Sequence, residues 1–409
     1  MPPSIESLIT RIQKREPELR ALVEGTFQPH NLREKQNNLL HRYPDSENRP
    51  PLFCVPVGIK DIYRVDGFPT QCGSSLPAGL FTGTEASCVS ALKLAGAIVV
   101  AKTVTAEFAG FAPGPTRNPI NPRHSPGGSS SGSAAGVAAG YFPAAMGTQT
   151  IGSIIRPAAY CGILGFTPSF GRIPTDGIIP FSPSADHVGV LCRDLKLLDD
   201  ILSILVPDWN QTGTESALTL GIPTGPYMKQ ASERALSQFE STLAGLSQTE
   251  ISIKRVPLLA NISQINDDHW RLICGEVVRV HRDWSTTYEK LYRPQTRKYF
   301  ATGVEVSEED LMQLRSNQAA VRRDIQAIMD REKINAWVCP SATGTAPEGL
   351  ETTGDPCMNL PWTHAGLPAL SMPAGQDERG LPYGLQIVGR FQNDEHLMEL
   401  ARTVAPLLT

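Results

Sequence analysis

The stretch from Gly127 to Gly162 constrains this chain more than any other. It reads Gly-Gly-Ser-Ser-Ser-Gly-Ser, then an Ala/Gly run, then Gly-Thr-Gln-Thr-Ile-Gly-Ser-Ile-Ile-Arg-Pro-Ala-Ala-Tyr-Cys-Gly. An ordinary core needs large apolar side chains, whereas this segment offers hydroxyls, glycines and alanines, so close backbone approach and exposed amide groups are its purpose. It reads as the floor of an active site. What it lacks is a proton acceptor, and the other segments are weighed by whether they supply one.

Pro51 to Asp61 is a short, β-rich apolar run that closes on Lys60 and Asp61, an unusual end for a buried strand. Residues 84–95 have helical spacing, Gly96 stops that helix, and Ala97 to Ala101 is a strand running into Lys102 and Thr103. Residues 131–140 have the alanine content of a buried helix, which puts the glycine stretch just before a helix N-terminus. Pro17 divides the amphipathic segment 4–25 into two helices.

Residues 163–192 alternate short apolar runs with Pro and Gly, and 193–205 is a strongly amphipathic helix. Strands are predicted at 218–222 and 251–256 around a helix at 231–245, followed by a mostly helical, charged segment at 266–335. Short buried strands follow at 336–340, 368–373 and 384–389, with a closing helix at 394–407. No repeat or low-complexity linker interrupts the pattern, so the whole chain, 1–409, is expected to be a single α/β domain.

Charge and cysteine usage narrow the function. A net charge of −4, from 37 basic and 41 acidic residues well mixed, leaves no basic face for nucleic acid and no polybasic membrane anchor. The eight cysteines form no Cys-x-x-Cys pair and read as reduced thiols; with no basic-then-apolar start, a cytoplasmic protein is expected. No His-Glu-x-x-His, Cys/His cluster or Asp-rich loop supports a metal, and no phosphate-binding glycine motif supports a nucleotide, so neither metal nor cofactor is expected.

Hydrolysis by a serine remains. Gly128-Ser-Ser-Ser-Gly132 matches the Gly-x-Ser-x-Gly elbow, which would make Ser130 the nucleophile, but the elbow needs a buried strand before it. The residues before it, Asn118-Pro-Ile-Asn-Pro-Arg-His-Ser-Pro126, cannot form a central strand.

Gly127-Gly-Ser-Ser-Ser-Gly-Ser-Ala-Ala-Gly-Val-Ala-Ala-Gly140, Gly147-Thr-x-Thr-x-Gly-Ser153, Pro157-Ala-Ala-Tyr-Cys-Gly162 and Pro56-Val-Gly-Ile-Lys-Asp61 resemble the signature blocks of the amidase signature family. The C-terminal Gly366-Leu-Pro-Ala-Leu-Ser-Met-Pro-Ala-Gly375 and Gly380-Leu-Pro-Tyr-Gly-Leu-Gln386 do so too. The resemblance is dense over a signature core at 50–205 and over the C-terminal part, 335–409, and loose over the variable helical segment, 206–334. It implies a large mixed, twisted β-sheet covered by helices on both faces.

It also implies a Ser-cisSer-Lys triad: Ser153 as nucleophile, Ser129 as the bridging serine in a cis peptide, Lys60 as base. Backbone N–H groups of Thr150, Ile151, Gly152 and Ser153 would form the oxyanion hole. Taken alone, Lys60 reads as a snorkelling surface lysine and Ser129 as a turn or cap residue; at the family's spacing the catalytic reading prevails. A lysine base must be neutral, which burial away from acids provides. Lys102, Glu107 and Asp61 read as structural.

The implied function is hydrolysis of a carboxylic amide to acid and amine through an acyl-enzyme, with a small-molecule amide as partner and a homodimer as the assembly left open. Esterase or acyl-transfer activity on the same triad is the near alternative, and a catalytically silent binding relative the distant one. Two departures bear on this. The family's usual Asp and Arg are here Gln149 and Ile155, with Arg156 one place later, as if a charge pair had been lost together. Ile151 stands where the family has glycine, and a β-branched residue there is expected to strain the loop or crowd the acyl group. Phe170, Phe181, Trp337 and Trp362 offer apolar surface that serves either a pocket or the core.

Overall fold

The structure, a computed structural model, describes residues 4–210 and 218–408. Ten strands form one sheet: β1 (Pro56–Lys60), β2 (Ile98–Thr103), β3 (Ala144–Gln149), β4 (Leu164–Thr167), β5 (His187–Cys192), β6 (Thr219–Thr224), β7 (Ser252–Pro257), β8 (Ala336–Pro340), β9 (Ala369–Gln376) and β10 (Pro382–Val388). Their order is β2-β1-β3-β5-β4-β9-β10-β8-β6-β7. The sheet is mixed. β1 runs parallel to β2 and β3, and β6 to β7 and β8, whereas β3, β5, β4, β9, β10 and β8 are joined by antiparallel pairings.

Alternate strand residues enter two different apolar clusters, because successive side chains of a strand point to opposite faces. Val99, Ala144 and Met146 belong to the larger cluster, and Ile98, Val100 and Ala145 to the second, which is closed by the helices Ile5–Leu19 and Ser131–Ala139. Every residue of β1, β2 and β3 is buried, as strands covered on both faces must be. The small residues of Ser131–Ala139 let that helix lie close to the chain around it: a Cβ on Gly132 would come 2.1 Å from the Ala21 carbonyl oxygen.

Two expectations from sequence change. Residues 5–19 form one helix with Pro17 inside its last turn, and the chain leaves it through Arg20 in the left-handed region, so no second helix starts there. β3, built of Ala-Ala-Met-Gly-Thr-Gln, is hidden in the small-residue run, since it lacks the β-branched side chains that mark a strand. Trp337 and Trp362 are core residues, at 0% and 1% exposure.

Candidate active site

Lys60 ends β1 at the same edge at which β3 ends in Gln149, the carboxyl ends of two parallel neighbours, where open α/β sheets place their sites. Its side chain is fully buried. Nζ donates to Ser129 Oγ at 2.9 Å, to Thr148 Oγ1 at 2.8 Å and to the Thr148 carbonyl at 3.4 Å. None of these acceptors carries charge, so nothing in direct contact offsets the loss of hydration. Burial therefore pushes the ammonium down from 10.5 to about 7, with the field of Asp186 acting in the opposite direction.

Ser129 follows the Gly128–Ser129 peptide bond, which is cis, as the family resemblance implies. The carbonyl of Gly128 accepts from Arg156 Nη2 at 2.6 Å, while Arg156 Nε donates to the Thr353 carbonyl at 2.8 Å. Arg156 thus grips the peptide that carries Ser129. Ser130 has no such setting. Its hydroxyl donates to the Thr148 carbonyl at 3.1 Å, accepts from the Thr148 N–H at 3.3 Å, and no strand precedes it, which removes the elbow reading.

β3 runs out through Thr150, Ile151, Gly152 and Ser153 into the helix Ile155–Cys161. Ser153 is 7% exposed. Among the described residues the N–H groups of Ile151, Gly152 and Ser153 donate to no protein acceptor, although the loop is buried. Two carbonyls of this turn, by contrast, are held: Thr150 O accepts from His269 Nε2 at 3.0 Å and Ile151 O from Thr363 Oγ1 at 2.6 Å. The Thr150 hydroxyl donates to Asp186 Oδ1 at 2.6 Å. Asp186 Oδ2 accepts the N–H groups of Phe181 and Ser182 at 2.8 and 3.0 Å, yet burial still raises this carboxyl to about 6.

Ile151 does not strain the loop. It lies outside the left-handed region, and its side chain packs into the larger apolar cluster, so the backbone cost expected of a β-branched residue is absent. The position that cannot carry a side chain is the next one: a Cβ on Gly152 would come 2.4 Å from Asn359 Oδ1.

Gln149 and Arg156 do not touch each other and have separate duties. Gln149 Oε1 accepts the N–H groups of Ile154 and Ile155 at 2.9 and 3.1 Å, and its Nε2 donates to Thr363 Oγ1 at 2.9 Å. That leaves the Thr363 proton for the Ile151 carbonyl. A carboxylate at 149 would compete for that proton.

The residues read as structural are so placed. Lys102 and Asp61 form a buried ion pair at 2.8 Å, and Glu107 accepts from the Arg293 N–H at 3.0 Å and from Thr296 Oγ1. Thr148, His269, Thr353, Thr363 and His364 join the site without a signal in the sequence. Thr148 stands inside a signature block, but nothing in its type marks a lysine partner, and His269 lies in the loosely matching segment.

Tyr299 is the centre of an aromatic group, with Phe181 and Trp270 each 5.1 Å away and Phe111 stacked at 6.0 Å. A separate cavity of about 740 Å³ lies between the first helix and residues 104–115, and Lys60, Ser129 and Ser153 do not line it. Among the described residues no group of three or more His, Cys, Asp or Glu is placed to hold a metal ion, and no helix is long and apolar enough to cross a membrane.

The sequence profile of the Amidase family matches residues 4–398. The chain belongs to that family. It is 30% identical to a Glutamyl-tRNA(Gln) amidotransferase subunit from Symbiobacterium thermophilum, over 97% of this chain and 91% of the relative. A crystal structure of an amidase superposes with a TM-score of 0.90 at 27% identity, covering 99% of this chain and 95% of the other. The native peptide amidase of Stenotrophomonas maltophilia shares the fold, with a TM-score of 0.82 at 24% identity over 99% of this chain and 93% of its own. Membership makes the chain an amidase-family hydrolase acting on C–N bonds.

Proposed function

We propose that the protein hydrolyses a carboxylic amide to acid and amine through an acyl-enzyme on Ser153, with Ser129 as proton relay and Lys60 as base. The observation that carries this reading is the 2.9 Å contact between a lysine driven to about 7 by burial and the hydroxyl of Ser129. A lysine that is half neutral near pH 7 can take a proton without a large energetic penalty.

In the forward step Ser153 Oγ attacks the amide carbonyl, its proton passes to Ser129, and the Ser129 proton passes to Lys60 Nζ. The carbonyl oxygen becomes an oxyanion facing the free N–H groups of residues 151–153, donors worth roughly 2.7 to 4 kcal/mol each in comparable sites. Collapse returns the proton from Lys60 through Ser129 to the leaving nitrogen, and the amine departs. Water then repeats the sequence against the acyl-enzyme, releasing the acid and free Ser153.

A fluorophosphonate should label Ser153, as read by peptide mass, and Ser153→Ala should abolish labelling and amide turnover while leaving the fold intact. Labelling at Ser130, or none, would refute the assignment. The match to an amidotransferase component favours a second reading, glutamine as the amide and ammonia passed on within an assembly. Ammonia release from glutamine, measured against a panel of simple amides and esters, separates that reading from a free-standing amidase or esterase.

A further inference from the structure

His269 and His364 are buried, at 0% and 1% exposure, and their Nδ1 atoms lie 3.1 Å apart. His269 comes from the helix Ile262–Val280 in the variable segment, His364 from the short helix Leu360–His364. The protons on the two rings follow from the partners. The Thr150 carbonyl can only accept, so His269 Nε2 carries hydrogen. Burial holds His269 down to about 3 and His364 to about 4, so both rings are neutral. His269 Nδ1 is then a bare acceptor, and His364 Nδ1 must carry the hydrogen between them. His364 Nε2 is left bare, in keeping with its having no hydrogen-bond partner among the described residues.

We infer that this histidine pair is a positioning device for the amide loop, in which His364 donates to His269, His269 donates to the Thr150 carbonyl, and the pinned carbonyl aims the Ile151 N–H. The last link is covalent geometry. In a trans peptide the carbonyl of one residue and the N–H of the next point in opposite directions, so holding Thr150 O on the His269 side turns the Ile151 N–H to the other side. Thr363, next to His364, does the same for Gly152 by holding Ile151 O. One short helix therefore sets two successive N–H groups, one directly and one through His269.

The other titratable groups facing the pair are His187 on β5, itself held down to about 4 by burial, Asp186 beyond Thr150, and Glu276 on the helix of His269. Glu276 accepts from Ser182, Ser184 and Arg315 and from neither ring. The relay's catalytic value rests on the proposed function, in which the N–H groups of residues 151–153 face the oxyanion.

The test has a spectroscopic arm and a kinetic arm. In protein carrying ¹⁵N-histidine, two-bond ¹H–¹⁵N spectra at pH 7 should show His269 as the Nε2–H tautomer and His364 as the Nδ1–H tautomer, assigned by their loss in His269→Gln and His364→Asn. Either ring in the other tautomer, or protonated, overturns the relay with no reference to activity. In the kinetic arm, with active sites counted by fluorophosphonate, His269→Phe should lower kcat roughly 10- to 100-fold with KM nearly unchanged, short of losing a whole oxyanion donor. His269→Gln, whose Nε2 can still donate to Thr150 O, should recover most of it, and His364→Asn should lose less than His364→Leu.

Equal kcat in His269→Phe and wild type, or no rescue by His269→Gln, overturns the positioning role. If His269→Phe fails to fold, the comparison of His269→Gln with His364→Leu decides it. Failure of wild type to label at Ser153 would refute the proposed function instead, and the tautomers would still decide the relay.

Discussion

Two lysines lie near the ends of the neighbouring strands β1 and β2, Lys60 opposite Thr103 and Lys102 opposite Ile59, both with fully buried side chains, and they have opposite surroundings. Lys102 meets the Asp61 carboxylate at 2.8 Å, with the Pro69 carbonyl and Thr70 hydroxyl completing its shell at 3.1 and 3.0 Å. Lys60, one strand away, meets two hydroxyls and a carbonyl and no carboxylate in contact. Burial alone does not make a base. A buried lysine with a carboxylate in contact is locked into an ion pair that ties two strands together; one given only neutral oxygens is pushed down by burial.

The largest effect that could break this contrast is on turnover. Lys60→Met should lower kcat/KM by about four orders of magnitude or more, since the nucleophile and base of a serine hydrolase fail together. Lys102→Met should leave turnover per labelled active site within about tenfold, because it touches no reacting atom. Comparable losses in both would erase the distinction.

Stability should show the reverse. Lys102→Met strands the Asp61 carboxylate in the interior and should cost about 3–5 kcal/mol in urea unfolding, as breaking a buried pair does. Adding Asp61→Asn should return part of that loss, giving a coupling energy of the order expected for groups in contact. Additive losses would mean the ion pair is not what holds the strands.

The pH dependence of stability sharpens the point for Lys60. Its folded pKa, about 7, lies below its ordinary 10.5, so between those values the unfolded chain binds a proton that the folded chain does not. The wild type therefore gains stability from this group as pH rises through that window, by a few kcal/mol in all. The stability of Lys60→Met relative to wild type should fall as pH rises from 7 to 10.5. A difference independent of pH would mean Lys60 stays charged in the folded state.

What a sequence discloses about this site follows from what each residue needs. Lys60, Ser129 and Ser153 are singled out by the family resemblance, since taken alone Lys60 reads as an ordinary surface residue and Ser129 as a turn residue, and the structure puts Lys60 in contact with Ser129. Lys102 is read as structural only by default, since its pairing with Asp61 shows only in the folded structure, where Lys60 stands opposite Thr103. The strand β3 is hidden by its composition, although its alanines and glycine are what admit the helix Ser131–Ala139 and Ser130. His269, Thr363 and His364 are invisible, because a donor to a loop carbonyl can come from any element that passes, and no pattern in sequence ties position 269 to position 150. The strain expected of Ile151 fails for a related reason: sequence shows a side chain's size but not the direction it takes.

The smallest expected effect bears on the one acid that does reach Lys60. Asp186 does not touch the ammonium, but its charge raises the Lys60 pKa and so works against a neutral base. Asp186→Asn keeps an oxygen for the N–H groups of Phe181 and Ser182 and removes the charge, so the Lys60 pKa should drop further. The acidic limb of the labelling rate at Ser153, which reports the neutral base, should then move to lower pH by less than about one unit, the range expected for a charge acting beyond contact. Below about 6 the wild-type Asp186 is itself protonated, so the two profiles should converge there and separate most near neutral pH. A shift to higher pH would mean that the substituted amide misaims Thr150 and that geometry, not charge, dominates at this position. An unmoved limb in Asp186→Asn together with a lost limb in Lys60→Met would show that Lys60 is the base but is screened from Asp186, narrowing the contrast between the two lysines to their contact shells alone.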